Sequence, residues 1–296
     1  MLNVKSYQPK KNQKEQKTPD FSEAKNKKTN PKKFDIKSDP KVIVKATIYS
    51  LTTITLLSII IFSAYKIIRW KAETDATNEM IIALQSSSLV ETIKIEEVQE
   101  PKTEPEKNTL IKADLATLKN QNPDSVGWIY VPGTSIDYPF VQTNDNKFYL
   151  THSFNKRWNT AGWVFLDYRN SNTLQDKNQI IYAHGRVDGS MFGTLVNVLK
   201  RDWQDIEDNH YIKTYTENHS ALWQVFSTYQ IKETTDYIVT QFNNDTVFQK
   251  FIDMIVNRSN YNYNLVPTTS DRILTLSTCI GYTDRAVLHA KLIEEQ

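Results

Sequence analysis

The sequence predicts a mainly β domain whose roughly eight short strands close into a barrel, placed behind a single N-terminal transmembrane helix. Three features predict this architecture: turn-bounded runs with β periodicity in the C-terminal half, a 20-residue run without charge near the N-terminus, and a helical period just before the last two strands. Short strands interrupted in this way favour a closed barrel over a β–α–β sheet. At 296 residues, the chain has room for one ordinary domain plus extensions.

The first 45 residues form a basic segment unlike the rest of the chain. They hold thirteen lysines and five acidic residues, whereas the remainder carries a net negative charge. The segment is polar and contains four prolines, so it cannot bury enough apolar surface to fold alone. It lacks arginine and has few aromatic side chains to stack on bases, which argues against a nucleic-acid partner. We predict that residues 1–45 are a disordered cytoplasmic tail.

A run of twenty uncharged residues, 46–65, predicts a transmembrane helix between Lys45 and Lys66. At about 1.5 Å per residue, a helix of this length matches the roughly 30 Å hydrocarbon core of a bilayer. A cleavable signal peptide would have a shorter apolar region followed by small residues, and a buried core helix rarely lacks charge over this length. We therefore predict an uncleaved signal anchor. The lysine excess before it places the N-terminus in the cytoplasm and the C-terminal domain outside the cell membrane.

The segment after the anchor, residues 66–108, is predicted to be an extracytoplasmic spacer. A short helix is expected near residues 73–85, and the prolines and charges of residues 101–107 favour an extended conformation. The folded domain is predicted to span residues 109–296. It is expected to begin with a helix capped by Thr109, because apolar residues recur from there at near-helical spacing.

The predicted domain alternates strands with two short helices. The strands are expected at residues 127–131, 136–141, 162–168, 179–184, 211–215, 221–231, 273–279 and 286–293. One helix is expected at residues 190–200. The other, at residues 244–257, interrupts the β pattern because its apolar residues recur with helical period. The sequence contains no internal repeat.

The only cysteine of the chain, Cys279, ends the apolar strand that begins at Ile273. Alternation places Thr275, Ser277 and Cys279 on one face of that strand. A free cysteine most often packs as a small buried hydrophobic residue, but an unpaired thiol outside the membrane is open to oxidation unless it has a function. A single cysteine also excludes an internal disulfide. No dinucleotide motif, phosphate-binding loop or zinc-like spacing occurs, so we predict neither a cofactor nor a metal.

Two further side chains are candidates to lie beside the thiol. Arg285 opens the next apolar run six residues after Cys279, so a short loop would bring its guanidinium to the same rim. His184 ends a predicted strand and is followed by a glycine-bounded loop. Acyl transfer needs these three kinds of group: a thiolate, a proton shuttle and a positive charge for the oxyanion. Two alternatives stay open: Arg285 pairs with a nearby carboxylate, or His289, on the same face as Arg285, replaces His184.

The motifs around these residues resemble the sortase family of cell-wall transpeptidases. The sequence T-L-S-T-C at residues 275–279 is followed by an arginine at a strand start and preceded, about 95 residues earlier, by a strand-terminal histidine. Other stretches resemble class B sortases in particular: G-W-I-Y-V-P-G-T-S-I-D-Y-P-F-V-Q at 127–142, D-N-K-F-Y-L at 145–150, V-F-L-D-Y-R-N at 164–170 and D-G-S-M-F-G at 188–193. The helical period before the cysteine strand is also similar to class B members.

The resemblance implies a role for each candidate residue. Cys279 is expected to attack the threonine carbonyl of a sorting signal and hold the N-terminal product as a thioester. His184 is expected to exchange protons with the departing and incoming amines, and Arg285 to orient the substrate and stabilise the oxyanion. The implied partners are surface proteins that bear sorting signals and a peptidoglycan amine. In one respect the chain departs from the family: the gap of six between Cys279 and Arg285 is shorter than expected for class B.

Three functions are compatible with the sequence pattern. The first is a membrane-anchored cysteine transpeptidase of the cell wall, which is the function that the resemblance implies. A hydrolytic cysteine protease would share its acyl-enzyme and differ in using water as the acceptor. A catalytically silent surface module would only bind a peptide or a wall component, and would form no thioester.

Overall fold

The computed structural model describes residues 40–87, 91–94, 107, 109–217, 219–281 and 283–296. Of the predicted disordered tail, residues 1–39 lie outside this described part, and residues 40–45 belong to a helix rather than a disordered segment. The chain divides into two compact units, Met1–Ile59 and Ile60–Gln296. In the first unit the described residues are helical, and all the strands among the described residues lie in the second unit.

Helix α1, Pro40–Ser87, is the first element and has 48 residues. It contains the uncharged run 46–65, and among the described residues it is the one helix that is long and apolar enough to cross a membrane. Hydroxyl groups in the apolar run donate to carbonyls one turn earlier, as Thr52 Oγ1 does to Ile48 O at 3.0 Å, which satisfies them within the helix. The helix expected near residues 73–85 is the end of α1 rather than a separate element.

Eight strands of the second unit form a closed barrel, as the sequence predicts. Its strands are β3 Ser125–Tyr130, β4 Asp137–Val141, β5 Phe165–Leu166, β6 Asn178–Tyr182, β7 Tyr211–Thr216, β8 His219–Lys232, β9 Ile273–Ile280 and β10 Asp284–Glu295. Around the barrel they follow the order β10, β8, β7, β3, β4, β5, β6, β9. The pairs β4–β5 and β6–β9 are parallel, and the others are antiparallel.

The prediction that a helix begins at Thr109 is wrong about the helix start. Residues Thr109–Lys112 form strand β2, which pairs with β1, Glu91–Lys94, in a separate two-stranded sheet. Helix α2, Leu115–Gln121, begins later and is capped by Asp114, whose carboxylate accepts a hydrogen bond from Thr117 N at 3.0 Å. Pairing with a distant strand thus overrides the near-helical spacing of the apolar residues.

The remaining helices lie between barrel strands. They are the 3₁₀ helices Phe148–Leu150, Gly193–Leu199 and Glu207–His210 and the α-helices α3, Arg201–Gln204, and α4, Asp245–Asn257. The helix α4 inserted before the last two strands is confirmed. Its cap is Asn244, whose side chain accepts a hydrogen bond from Val247 N at 3.0 Å.

Two apolar clusters lie on opposite sides of strands β9 and β10. The inner cluster fills the barrel and includes Leu274, Leu276 and Leu288. The outer cluster lies beneath α4, whose buried residues are Phe248, Phe251, Ile252 and Ile255. Because burial of one such side chain contributes about 1.5–3 kcal/mol, these residues hold α4 firmly on the outer side of the cysteine strand.

The C-terminal part of α1 packs on the barrel. Leu84 is buried in the inner cluster, and Gln85 Nε2 donates to the carbonyl oxygen of Asp137 at 3.0 Å. Both residues lie in the segment that the sequence analysis treats as a spacer. The contacts with the barrel therefore begin upstream of residue 109.

Candidate active site

The three predicted residues meet where strand β9 runs between β6 and β10. Cys279 lies one residue before the end of β9. On one side β9 pairs antiparallel with β10, and on the other it pairs parallel with β6. Because β9 is the middle strand of the three, groups from both neighbours flank the thiol.

Arg285 lies directly opposite Cys279 in the β9–β10 pair. Residues directly opposite each other in an antiparallel pair project from the same face of the sheet, with Cβ atoms about 4.5–5.5 Å apart. The pairing of Asp284 with Ile280 next to them leaves only residues 281–283 to connect the strands. The short connection therefore keeps Arg285 and Cys279 as directly paired neighbours on the two strands.

His184 lies on the other side of Cys279, just after β6 ends. The parallel register pairs Tyr182 with Ser277, and two further residues along each strand bring His184 level with Cys279. The adjoining backbone stays close, since Thr278 Oγ1 donates to Ala183 O at 2.8 Å. The Cα of Gly185 approaches the carbonyl oxygen of Cys279 so closely that any side chain there would clash.

The imidazole of His184 is held by the main chain of two other segments. Its Nε2 lies 2.7 Å from the carbonyl oxygen of Leu150. A carbonyl oxygen only accepts hydrogen bonds, so Nε2 carries the proton and Nδ1 is left for proton exchange. Gly162, with φ at +62°, forms a wall of the pocket, because a Cβ on this residue would lie 3.2 Å from His184 Cδ2.

Arg285 has a carboxylate partner, which agrees with the alternative that it only forms an ion pair. That carboxylate is, however, exposed to solvent. Arg285 Nη2 lies 2.9 Å from Glu233 Oε1, and Arg285 Nη1 donates to the carbonyl oxygen of Asp284 at 3.1 Å. The Glu233 side chain is 67% exposed, whereas that of Arg285 is 17% exposed. An ion pair with one exposed partner contributes at most about 1 kcal/mol, so it gives little structural reason for an arginine here.

Away from Cys279, towards the buried part of β9, the outer face of the strand carries a row of polar groups that are hydrogen-bonded to neighbours. Ser277 shares a 2.9 Å hydrogen bond with the hydroxyl of Tyr237. Burial raises the pKa of Tyr237, although hydrogen bonding to Ser277 and the charge of Arg285 oppose the effect. Tyr237 therefore stays a neutral phenol near the thiol and guanidinium.

His289, the competing histidine, is fully buried in this row of polar groups. Its Nδ1 lies 2.8 Å from Thr275 Oγ1, and its Nε2 lies 2.9 Å from the hydroxyl of Tyr229. Burial lowers its pKa to about 3, helped slightly by the charge of Arg258. A neutral histidine with both nitrogens bonded and no exposure to solvent is unsuited to exchange protons with a substrate.

The other three histidines have partners away from the cysteine strand. Each lies within reach of a different group: His152 Nδ1 at 2.8 Å from Phe148 O, His210 Nε2 at 2.8 Å from Gln204 O, and His219 Nδ1 at 3.7 Å from Glu295 Oε1. Among the described residues, His184 is the histidine that the fold brings to Cys279.

Several residues that shape the site are not indicated by the sequence patterns. Leu150 contributes a carbonyl oxygen, Gly162 and Gly185 contribute the absence of a side chain, and Glu233 and Tyr237 contribute polar groups. Only Gly185 carried a sequence signal, because a glycine directly follows the candidate histidine.

Comparison with known families decides what this arrangement belongs to. The family model described as the sortase domain matches residues 129–293, more than half of the chain. The chain belongs to the sortase family. The matched residues include all three predicted site residues, Cys279, His184 and Arg285.

The similar proteins are class B sortases. Over 190 residues the sortase is 35% identical to sortase B of Listeria monocytogenes, covering 63% of this chain and 76% of the relative. Over 250 residues it is 32% identical to sortase B of Staphylococcus aureus, covering 83% and 96%. A sortase B–substrate complex from S. aureus is 34% identical, with a TM-score of 0.58 over 61% of this chain and 85% of that one. Sortase B of Bacillus anthracis in complex with AAEK1 is 31% identical, with a TM-score of 0.64 over 75% and 99%.

The family likeness that the sequence motifs predict is confirmed. This sortase is a cysteine transpeptidase that anchors surface proteins, and it is associated with the cell envelope. Sortases act on sorting-signal substrates and peptidoglycan precursors. Neither the catalytically silent module nor the plain protease is therefore the main function.

Proposed function

We propose that Cys279, His184 and Arg285 are the catalytic residues of this transpeptidase. The observation that carries the proposal is the order of strands β6, β9 and β10, which puts the thiol between a histidine and an arginine. No cofactor or metal takes part in the proposed reaction.

In the first half-reaction the Cys279 thiol passes its proton to Nδ1 of His184, and the resulting thiolate attacks the carbonyl carbon of the substrate threonine. A tetrahedral oxyanion forms beside Arg285, whose planar set of donors and permanent charge suit this task. The carbon–nitrogen bond then breaks, and the leaving amine takes a proton from Nδ1 of His184. The N-terminal part of the substrate remains on sulfur as a thioester.

In the second half-reaction the amine of a peptidoglycan precursor attacks the thioester. His184 accepts the proton that this amine loses, again at Nδ1, because Nε2 is bonded to Leu150 O. The carbon–sulfur bond breaks, and the thiolate returns. The product is a new amide between the surface protein and the wall precursor.

The substrate is proposed to carry a class B sorting signal of the form Asn-Pro-Gln/Lys-Thr-Asn/Ser. The helix α4 supports this choice because it covers the outer face of β9, the face from which Cys279 projects. A substrate proline fixes one backbone dihedral and so lowers the ordering cost of binding. Discrimination from Leu-Pro-x-Thr-Gly would then rest on the pocket for the first residue, where asparagine needs hydrogen-bond partners.

We also propose that residues 46–65 anchor the protein as a single-pass signal anchor, with residues 1–45 as a cytoplasmic tail. The support is the apolar part of α1 and the lysine excess that precedes it. The catalytic domain would then lie outside the membrane, where the surface proteins and the wall precursors meet it.

Two fluorogenic peptides test the proposed substrate. One contains Asn-Pro-Gln-Thr-Asn and the other Leu-Pro-Gln-Thr-Gly, and each is cleaved in the presence and absence of an amino-glycine nucleophile. We expect the asparagine peptide to be preferred, and mass spectrometry to detect a ligated product when the nucleophile is added. A preference for the leucine peptide would contradict the class B signal, and hydrolysis alone would contradict the amine acceptor.

A further inference from the structure

One turn of helix α1, residues 73–77, contacts the barrel through polar side chains. Thr74 and Thr77 are three residues apart and so lie on one face of the helix, and both are buried. Glu73 beside them is partly buried. Burying hydroxyls and a carboxylate is unfavourable unless each has a hydrogen-bond partner. This polar turn of α1 therefore packs well only against groups that supply the matching hydrogen bonds, whereas an apolar stripe could pack against many surfaces.

The first neighbour of the polar turn is the segment that contains Asn159 and Thr160. Asn159 Nδ2 donates to Thr77 Oγ1 at 2.9 Å, and both the backbone N–H and the hydroxyl of Thr160 donate to the Glu73 carboxylate. Burial alone would raise the pKa of Glu73, but the hydrogen bonds from Thr160 and Arg69 hold it below its ordinary value. The carboxylate is thus charged and fixed.

This segment leads directly to the pocket of His184. Gly162 N donates to Asn159 O at 3.0 Å, and Asn159 Oδ1 accepts from Ala161 N at 2.8 Å. Gly162 is the residue whose main chain lies against the imidazole of His184. A shift of the segment would therefore move that main chain.

The second neighbour of the polar turn is the loop that follows His184. Arg186 donates from Nη2 to Thr74 Oγ1 at 2.7 Å and to Asp188 Oδ2 at 2.8 Å. Its Nε donates to Ser190 Oγ at 3.0 Å. Burial alone would raise the pKa of Asp188, but the bonds from Arg186 and Ser190 lower it to about 2, so the loop keeps a charged pair at neutral pH.

We propose that the polar turn of α1 is a positioning element for His184. It fixes the segment that walls the imidazole and the loop that continues from it, so seating of the helix on the barrel sets the geometry of the proton shuttle. The inference rests on the proposed role of His184. Neither threonine touches a reacting atom, and both act through Asn159 and Arg186. A displacement of about 1 Å in such a group can cost up to about a hundredfold in rate.

The test uses the full chain in detergent micelles, with the asparagine peptide as substrate. The variant Thr74→Val, Thr77→Val removes both acceptors with little change of shape, and Thr74→Ser, Thr77→Ser restores the hydroxyls. Asp75→Asn is the matched control, since Asp75 is exposed on the same turn. For each variant we measure kcat, KM, the pH profile of kcat/KM and the thermal midpoint.

The valine pair is expected to lower kcat about tenfold, to leave KM within about twofold and to change the pH profile of kcat/KM. The serine pair and Asp75→Asn should match wild type. If the valine pair lowers only the thermal midpoint, with the same kcat and pH profile, the turn is merely structural and the proposal is wrong. A wild-type rate for His184→Ala would instead overturn the role of His184 itself, and this proposal with it.

Discussion

The two faces of strand β9 differ in chemistry over the stretch from Leu274 to Ser277. On the inner face, Leu274 and Leu276 are fully buried in the barrel core. On the outer face, Thr275 and Ser277 are buried but polar, and Cys279 at the end is partly exposed. From Thr275 to Cys279 this face is polar, and its burial falls towards the thiol.

This difference separates folding from chemistry on a single strand. The inner residues contribute apolar burial, which stabilises the barrel without specifying a reaction. The outer hydroxyls are each paired, Thr275 with His289 and Ser277 with Tyr237, so they are satisfied before the strand reaches Cys279. Substitutions on the inner face should therefore lower stability, whereas substitutions at the thiol end of the outer face should lower activity.

The largest effect is expected from Cys279→Ala set against Leu276→Ala. Loss of the thiol should lower kcat/KM at least about a thousandfold and leave the thermal midpoint almost unchanged. Loss of the leucine should cost about 2–5 kcal/mol of stability, with the folded fraction still active. Peptide cleavage and urea unfolding of both variants check this. Residual activity of the alanine variant above about a thousandth of wild type would show that another group is the nucleophile.

The next effect concerns Arg285, opposite the thiol on β10. Arg285→Lys should lose nearly as much activity as Arg285→Ala, since lysine keeps the charge but not the forked pair of donors. We expect a fall of about a hundredfold or more in kcat/KM, the scale of removing an oxyanion donor. Steady-state cleavage assays measure it. Near-normal turnover of the lysine variant would reduce Arg285 to a structural ion pair.

An intermediate effect is expected on acid stability, through His289 beneath the outer face. Its pKa is lowered to about 3 in the fold, from about 6.5 when unfolded, so protons favour the unfolded chain. The contribution is complete above about pH 6.5 and is lost as the pH falls towards 3, by up to a few kcal/mol. Urea unfolding between pH 7.5 and 4.5 should show a shallower pH dependence for His289→Gln than for wild type. Equal slopes would mean that His289 is not buried as a neutral ring.

The smallest effect is expected from Glu233→Gln, on the exposed side of the Arg285 ion pair. Because Glu233 is two-thirds exposed, stability should change by less than about 1 kcal/mol. Turnover should stay within about threefold of wild type, because Arg285 Nη1 keeps its bond to Asp284 O. A loss as large as that of Arg285→Ala would show that the arginine works only through its carboxylate partner.

Much of the fold was predictable because β periodicity and turn residues act locally. The pattern located the eight barrel strands and helix α4, each of which follows from residues within its own segment. It misjudged Thr109, because strand β2 exists through pairing with β1, some twenty residues earlier. It also treated residues 66–108 as a spacer with a separate short helix, because nothing in the local sequence shows that Leu84 is buried against the barrel.

The site was predictable where chemistry is concentrated in a rare residue type. Cys279 is unique in the chain, and His184 and Arg285 stand at strand ends. The carbonyl oxygen of Leu150 and the space above Gly162 have no such signature. They reach the imidazole only when the barrel closes, so no pattern along the sequence could indicate them.

The central claim is that Cys279 carries the substrate as a thioester, and intact-mass spectrometry tests it most directly. The full chain in detergent is mixed with the Asn-Pro-Gln-Thr-Asn peptide, quenched in acid within the first turnovers, and weighed with and without neutral hydroxylamine. We predict an added mass equal to the peptide up to its threonine, located on Cys279, removed by hydroxylamine and absent from Cys279→Ala. Peptide cleavage at the normal rate with no adduct on Cys279, or the same adduct on the alanine variant, would contradict the account.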